Sequence, residues 1–377
     1  MMPHPMPTVA LFASSFLAPT QTFIHDELRH HRRYDIEVFT RRRLHAERFP
    51  YTPVHVAEPW FGVLPWSPRF DRRFRARRFD LIHAHFGWSG VLAMGYARRF
   101  RLPLVVTFHG HDVPLLTSRE RFKLEFLGYG LRGRRLLREM SLGLCVTRDL
   151  RDRLLALDVP EKRLAVHALG IDLARFVPTP RTDGAIEVLM VGRLVEKKGF
   201  GHGLEACARA AARCAAPLRL SVIGDGPLRG FLVERARSLD LAVEFTGLLA
   251  PDEVARRLAT ADVLLAPSIV AASGDREGLP MVVKEAAASE CVVIASRHGG
   301  MAEAIDDGVT GFLVAEHDVA ALADRLALVA ADAELRHRMG GAARAKMARE
   351  FDLGVRVDAL ENTYDAVIAA HSGRAGS

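Results

Sequence analysis

Short apolar runs alternating with helix-length stretches constrain this chain more than any other feature. In the first half the runs are Thr8–Ala13, Ile36–Thr40, Asp80–His85, Leu104–His109 and Leu142–Thr147. Each is bounded by polar or turn residues, and helical patterns follow several of them. This is the alternation of a parallel sheet covered by helices. The pattern pauses at Phe176–Gly184 (FVPTPRTDG), whose prolines, glycine and lack of period read as a linker. A second series then runs through Ile186–Val191, Leu218–Ile223, Val243–Thr246, Val263–Ala266 and Val292–Ala295. Phe200–Arg213 and Pro227–Ser238 read as intervening helices, and from about Val319 onward the pattern is purely helical.

Two doubly wound α/β domains follow, residues 1–176 and 185–350, with a helical terminal segment in residues 351–377. The 377 residues are about twice a common domain length, and a 49% hydrophobic content supplies two cores. No window offers the run of apolar residues that a membrane span needs. Met1–Pro7 holds three prolines and no basic residue, unlike a secretory signal, so a cytoplasmic protein is expected. The four cysteines, Cys145, Cys207, Cys214 and Cys291, form no CxxC pair and read as small buried thiols rather than metal ligands.

Charge is uneven. Residues 1–180 hold 29 basic against 17 acidic side chains, whereas the whole chain carries only +7. A basic first half suits an anionic partner: nucleic acid, a membrane surface or a phosphate-bearing lipid. Arg69–Arg78 interleaves aromatics with six arginines, and Arg119–Glu139 reads as an amphipathic basic helix that includes Phe122, Leu124 and Phe126. Such segments either lie on anionic membranes or form solvated faces.

Three stretches hold chemistry. In Glu277–Glu285 two carboxylates stand eight positions apart around Gly278-Leu279-Pro280. Pro280 suits a first helical position, and the amides of that helix start suit a diphosphate. The alternative is a solvated loop acid and a helix-dipole partner. In Val191–Gly199, Arg193 and Lys198 follow a strand, where open α/β sheets bind ligands. Arg supplies a planar fork and Lys a mobile point charge for phosphate oxygens. Lys197 beside them receives no role. In Thr107–Asp112, His109, His111 and Asp112 also follow a strand. Zinc there would need a third ligand that the spacing does not identify. His85 ends the preceding strand, where a substrate contact and a core-edge role are equally open.

Glu277 and Glu285 with the intervening Gly278-Leu279-Pro280, the flanking Ser268, Gly274–Glu277 and Gly299–Glu303, and Asp307–Val314 together resemble the two-glutamate signature of the GT4 family of GT-B glycosyltransferases. The resemblance covers nearly the whole chain. It implies two Rossmann-like domains facing a central cleft, an acceptor-binding first domain, a donor-binding second one, and a terminal helix in residues 351–377 that returns toward the first domain. It further implies retaining transfer from a nucleotide-diphosphate sugar, with no metal and no other cofactor. By the same resemblance Arg193, Lys198 and Gly278-Leu279-Pro280 hold the donor diphosphate, Glu285 the ribose, and Glu277 and His109 the sugar. The loop Ser14–Ile24 lacks the paired glycines of many relatives and resembles the colanic-acid and exopolysaccharide subgroup. Gln21 and Thr22 in it, and His85, are the expected acceptor or cleft residues. Gly224-Asp225-Gly226-Pro227 is similar to the family's turn near the base, although a bare G-x-G is weak. The family's acceptors are often lipid-linked, which implies contact of the basic domain with the inner face of the membrane and no nucleic-acid partner. The competing expectations are a sugar-nucleotide epimerase of the same fold and a basic nucleic-acid-binding protein.

Overall fold

The computed structural model describes residues 6–17, 21–62, 65–123, 126–179 and 184–375. The chain forms two compact units, Met1–Gly170 with Leu353–Ser377, and Ile171–Asp352.

The first unit is built on β1 (Thr8–Phe16), β2 (Asp35–Arg43), β3 (Val54–Val56), β4 (Leu81–His85), β5 (Leu104–Phe108), β6 (Leu142–Cys145) and β7 (Leu164–Val166). They form one sheet in the order β3-β2-β1-β4-β5-β6-β7, with every pairing parallel. The chain winds outward from β1 to one edge, then resumes at β4 on the other side of β1. Loops leaving these two neighbours therefore diverge at their carboxyl ends, the crevice where such sheets bind ligands. Val9, Ala10, Leu11, Leu81 and Ile82 are all fully buried, as expected of strands covered on both faces.

The aromatic-basic stretch 69–78 serves this core. Ser67 caps the helix Pro68–Ala76, its hydroxyl accepting from the Phe70 amide at 3.2 Å. Phe70 and Phe74, one turn apart, are buried against Phe39 at ring separations of 4.9 and 5.0 Å. Arg73, beside that face, grips the buried Glu37 with two nitrogens, at 2.8 and 2.5 Å. Residues 119–139 do not form the single helix that their pattern suggests. A 3-10 turn, Arg119–Phe122, precedes the helix Leu127–Glu139, and Leu124 lies outside the described residues. The turn folds back so closely that a Cβ on Gly130 would lie 2.5 Å from the Arg121 carbonyl oxygen.

The second unit contains β8 (Ile186–Val191), β9 (Leu218–Ile223), β10 (Val243–Gly247), β11 (Val263–Ala266), β12 (Val292–Ser296) and β13 (Gly311–Val314). Their order is β10-β9-β8-β11-β12-β13, again all parallel, with the reversal of winding between β8 and β11. Met190, Leu204, Leu265, Ile294 and Leu326 are among the side chains of its core.

The boundary between units lies at Gly170, not at residue 176. Ile171 donates its amide to the Phe351 carbonyl at 2.8 Å, Phe176 is buried, and Thr179 donates to the Ala259 carbonyl at 2.8 Å. These contacts tie residues 171–179 to the second unit; residues 180–183 of the expected linker lie outside the described residues. The terminal helix, Leu353–Ala375, belongs to the first unit. Buried Glu361 accepts from the amides of Arg32 and Arg33 at 2.8 and 3.0 Å and from Arg33 Nε at 3.0 Å. Among the described residues no helix is long and apolar enough to cross a membrane. The four cysteines are free, and burial raises the Cys145 and Cys207 thiols to about 12.

Candidate active site

In the second unit the carboxyl ends of β8, β11, β12 and β13 deliver the charged groups. After β8 the chain makes a 3-10 turn, Glu196–Lys198, that ends on Gly199 with φ +63°. A Cβ there would lie 1.8 Å from the Pro267 carbonyl oxygen, so only glycine lets this turn pack on the segment leaving β11. The turn brings Lys198 Nζ to 3.3 Å from Glu277 Oε2. Lys197 Nζ lies 3.3 Å from Glu277 Oε1 and 3.2 Å from Asp275 Oδ2. Burial pushes the Glu277 carboxyl up, but Lys198 and Lys197 outweigh it and hold the group below its ordinary range. Lys197 shows the mirror effect: burial disfavours its charge, and Glu277 and Asp275 more than restore it.

His298 follows β12 and is buried. Its Nε2 accepts from the Glu277 amide at 3.2 Å, and its Nδ1 lies 2.6 Å from Glu316 Oε1, just beyond β13. Glu316 in turn accepts from the Val270 amide at 2.9 Å. Next to His298, Gly299 adopts φ +50°, and a Cβ on it would lie 2.5 Å from the Glu277 carbonyl oxygen. Gly300 donates to the Gly278 carbonyl at 2.7 Å. The Glu277-Gly278 backbone is thus clamped by the loop after β12.

The adjacent helix is Met281–Ala288. Pro280 stands at its N-cap rather than at its first position, because ψ 135° keeps that residue extended. Glu285 therefore falls in the second turn. Lys284 turns inward, its ammonium 5.5 Å from the Phe351 ring. Arg193, directly after β8, is exposed and makes no ion pair among the described residues. Sequence reasoning joined Lys198 to Glu277 through the family motif, but it gave Lys197 no role and missed Asp275, His298 and Glu316.

In the first unit the site is a buried cluster at the carboxyl ends of β4 and β5. Asp112, fully buried, accepts from the amides of His109, Gly110 and Gly87 at 3.2, 3.0 and 3.1 Å. Burial raises its pKa and these amides oppose the rise. Asp112 therefore pins the loop from within. His109 Nε2 lies 3.1 Å from His85 Nδ1, and His85 Nε2 lies 3.3 Å from Glu27 Oε1. His85 is fully buried, which leaves it no surface for an acceptor; its position is behind His109. Gln21 and Thr22 are half-buried at the start of the helix Thr22–His30, which carries Glu27.

The zinc reading of His109, His111 and Asp112 does not fit this geometry. Among the described residues Glu27, His83 and His85 are the group close enough to share a cation. His83, however, engages Tyr364 and Thr107 hydroxyls at 2.7 Å each, so coordination would break one of those bonds.

Two parallel α/β units, the second bearing a lysine-clamped glutamate beside a helix start at its switch point, are the architecture expected of the GT-B fold. The group 1 glycosyl transferase model matches residues 175–346 and the Glycosyltransferase Family 4 model residues 22–175, and the chain belongs to this family. AmsK of Erwinia amylovora, an amylovoran biosynthesis glycosyltransferase, is 32% identical over 72% of this chain and 67% of its own. WcaL of Escherichia coli, assigned to colanic acid biosynthesis, is 34% identical over 66% of this chain. The chain spans 61% of the length of WcaL. The fold is shared with Anabaena HepE, solved with UDP-glucose, at TM-score 0.77 and 21% identity over 96% of this chain and all of that one. Sucrose-phosphate synthase from Thermosynechococcus elongatus superposes at TM-score 0.73 and 21% identity, covering 97% and 100% of the two chains.

Proposed function

We propose that the protein is a retaining, metal-independent hexosyltransferase that uses a nucleotide-diphosphate sugar and a lipid-linked saccharide acceptor in cell-surface polysaccharide biosynthesis. The observation that carries this reading is Glu277, half-buried and held ionised between two lysines at the crevice of the second sheet. Breaking the glycosidic bond loads charge onto the leaving diphosphate. Lys198, Arg193 and the Gly278-Leu279-Pro280 helix start, where Gly278 and Leu279 but not Pro280 carry backbone N–H groups, stabilise that charge, which is where electrostatic catalysis acts. Glu277 holds the sugar hydroxyls and stabilises the oxocarbenium-like centre without becoming a nucleophile. Glu285 takes the ribose, and His109 contacts the transferred sugar. Lys197 keeps Glu277 in place while Lys198 turns to phosphate.

UDP-glucose bound to a protein of the same fold, and the polysaccharide roles printed for AmsK and WcaL, support the donor and acceptor classes. The first unit is assigned to the acceptor and the second to the donor, with Gln21 and Thr22 on the acceptor side. Phe122 and Leu131 are exposed near Arg132, Arg134, Arg135 and Arg138, which supports peripheral contact with the cytoplasmic face of a membrane. Thermal stabilisation by a panel of UDP-, GDP- and ADP-sugars tests the donor class, and the anomeric configuration of the product tests retention. Failure of every donor to stabilise the protein, or an inverted product, would overturn the reading.

A further inference from the structure

We propose that Asp275 is a positioning residue: by tethering Lys197 it divides two adjacent lysines into one that stays on Glu277 and one, Lys198, that leaves for the donor diphosphate. This rests on the reading that Lys198 meets that diphosphate and Glu277 the sugar. Lys197 and Lys198 sit on one 3-10 turn and share one carboxylate, each within 3.3 Å of a different oxygen of Glu277. Their other contacts differ. Lys197 Nζ also lies 3.2 Å from Asp275 Oδ2 and 3.3 Å from Asp275 Oδ1. Lys198 makes no second ion pair among the described residues. One lysine is thus held between two carboxylates, and the other by one.

Asp275 is itself fixed. Its carbonyl accepts from the Ala271 amide at 2.9 Å, closing the loop after β11 on itself. That loop is fastened to the lysine turn: the Ile269 amide donates to the Lys197 carbonyl at 2.9 Å, and the Ala272 amide to Glu196 Oε1 at 3.0 Å. When a diphosphate draws Lys198 away, Glu277 loses one of its two cations and gains an anionic neighbour. Both changes favour the protonated carboxyl. Lys197 is then the cation that holds Glu277 ionised against its burial. With Asp275 neutral, the Lys197 ammonium, a point charge on a mobile stem, is free to follow Lys198 to the phosphates. The tether therefore withholds one cation from the nucleotide and secures the charge at the sugar.

The two effects have opposite signs, which separates this role from a structural one. By calorimetry, Asp275→Asn should bind UDP or GDP, whichever the parent binds, about tenfold more tightly, the value of one added charge-assisted hydrogen bond. Its kcat, with the UDP-, GDP- or ADP-sugar that most stabilises the parent, should fall by about tenfold or more as Glu277 loses its aim. The acid limb of kcat against pH reports the substrate complex, in which Lys198 is on phosphate. That limb should move up by about one pH unit or more, because Glu277 acts ionised and has lost its remaining cation. Lys197→Met should show the same fall and the same acid shift with nucleotide affinity unchanged, and Lys197→Arg should restore most of both. It carries the acid-limb test alone if Asp275→Asn folds poorly. Nucleotide affinity unchanged or lowered in Asp275→Asn, or an acid limb that stays in place in Lys197→Met, would overturn the tether alone. Transfer undiminished in Glu277→Gln would remove the underlying role of Glu277, and the tether with it.

Discussion

The amide of Glu277 donates to Nε2 of His298, and this bond fixes the protonation of the ring. A backbone N–H cannot accept, so Nε2 is bare and the ring proton lies on Nδ1, directed at Glu316 2.6 Å away. Burial raises the Glu316 carboxyl, but the hydrogen bonds from His298 and the Val270 amide outweigh it. Three loops, after β11, β12 and β13, are joined through one imidazole. Replacing His298 by Ala leaves a buried amide and a carboxylate oxygen without their partner, which costs roughly 1–3 kcal/mol. Chemical denaturation should show that loss, and UDP or GDP should stabilise the variant less than the parent. Identical unfolding midpoints would mean the clamp contributes nothing.

Glu277→Gln keeps the shape of the side chain and removes the charge that Lys197 and Lys198 surround. Transfer should fall by about 10²- to 10³-fold, the scale for losing one preorganised electrostatic contact. Nucleotide affinity should change far less, because the assigned partner of Glu277 is the sugar. Initial rates set beside thermal shifts with free nucleotide separate the two, and parallel losses would count against the assignment.

Lys198→Ala should weaken nucleoside-diphosphate binding by about tenfold or more, the value of a hydrogen bond to a charged group. The stabilisation of the melting temperature by UDP or GDP is the readout. An undiminished shift would place the phosphates elsewhere.

Transfer should persist in EDTA, since lysines, an arginine and helix-start amides supply the positive charge. Loss of activity on chelation, restored by a divalent cation, would contradict metal independence.

Glu37 links acid sensitivity to the first sheet. Burial raises its carboxyl, yet Arg73 and His55 more than compensate and bring it to about 2. A pKa depressed in the folded state adds stability that is present above the unfolded carboxylate value and lost as pH falls toward 2. Glu37→Gln should therefore destabilise the protein near pH 6 and much less near pH 3. Denaturation curves at the two values check this, and a constant difference would refute it.

The central apolar strands were legible because burial on both faces leaves an unbroken hydrophobic run, as in Val263–Ala266 or the start of Val292–Ser296. β3 and β7 were not, since each has only three residues, too few for a run or a period to stand out. β13 begins on a glycine within a segment read only as motif. Of the candidate site residues, Glu277 and Lys198, which stand 3.3 Å apart, were singled out by the family motif rather than by spacing alone. Glu27 and His85 are 58 positions apart, and His298 and Glu316 acquire their roles only when parallel strands align their carboxyl ends. Nothing near any of these residues in the chain announces such a partnership.

Because the helix bearing Glu361 and Tyr364 closes the first unit, that unit is interrupted by the entire second one. On the ribosome, the second unit emerges whole while the first still lacks the surface that covers His31 and His83. Synthesis from the amino end thus reverses the usual sequence of completion: the later segment can finish first, and nascent chains halted near residue 350 would leave an unsealed amino-terminal sheet for chaperones or proteases to meet.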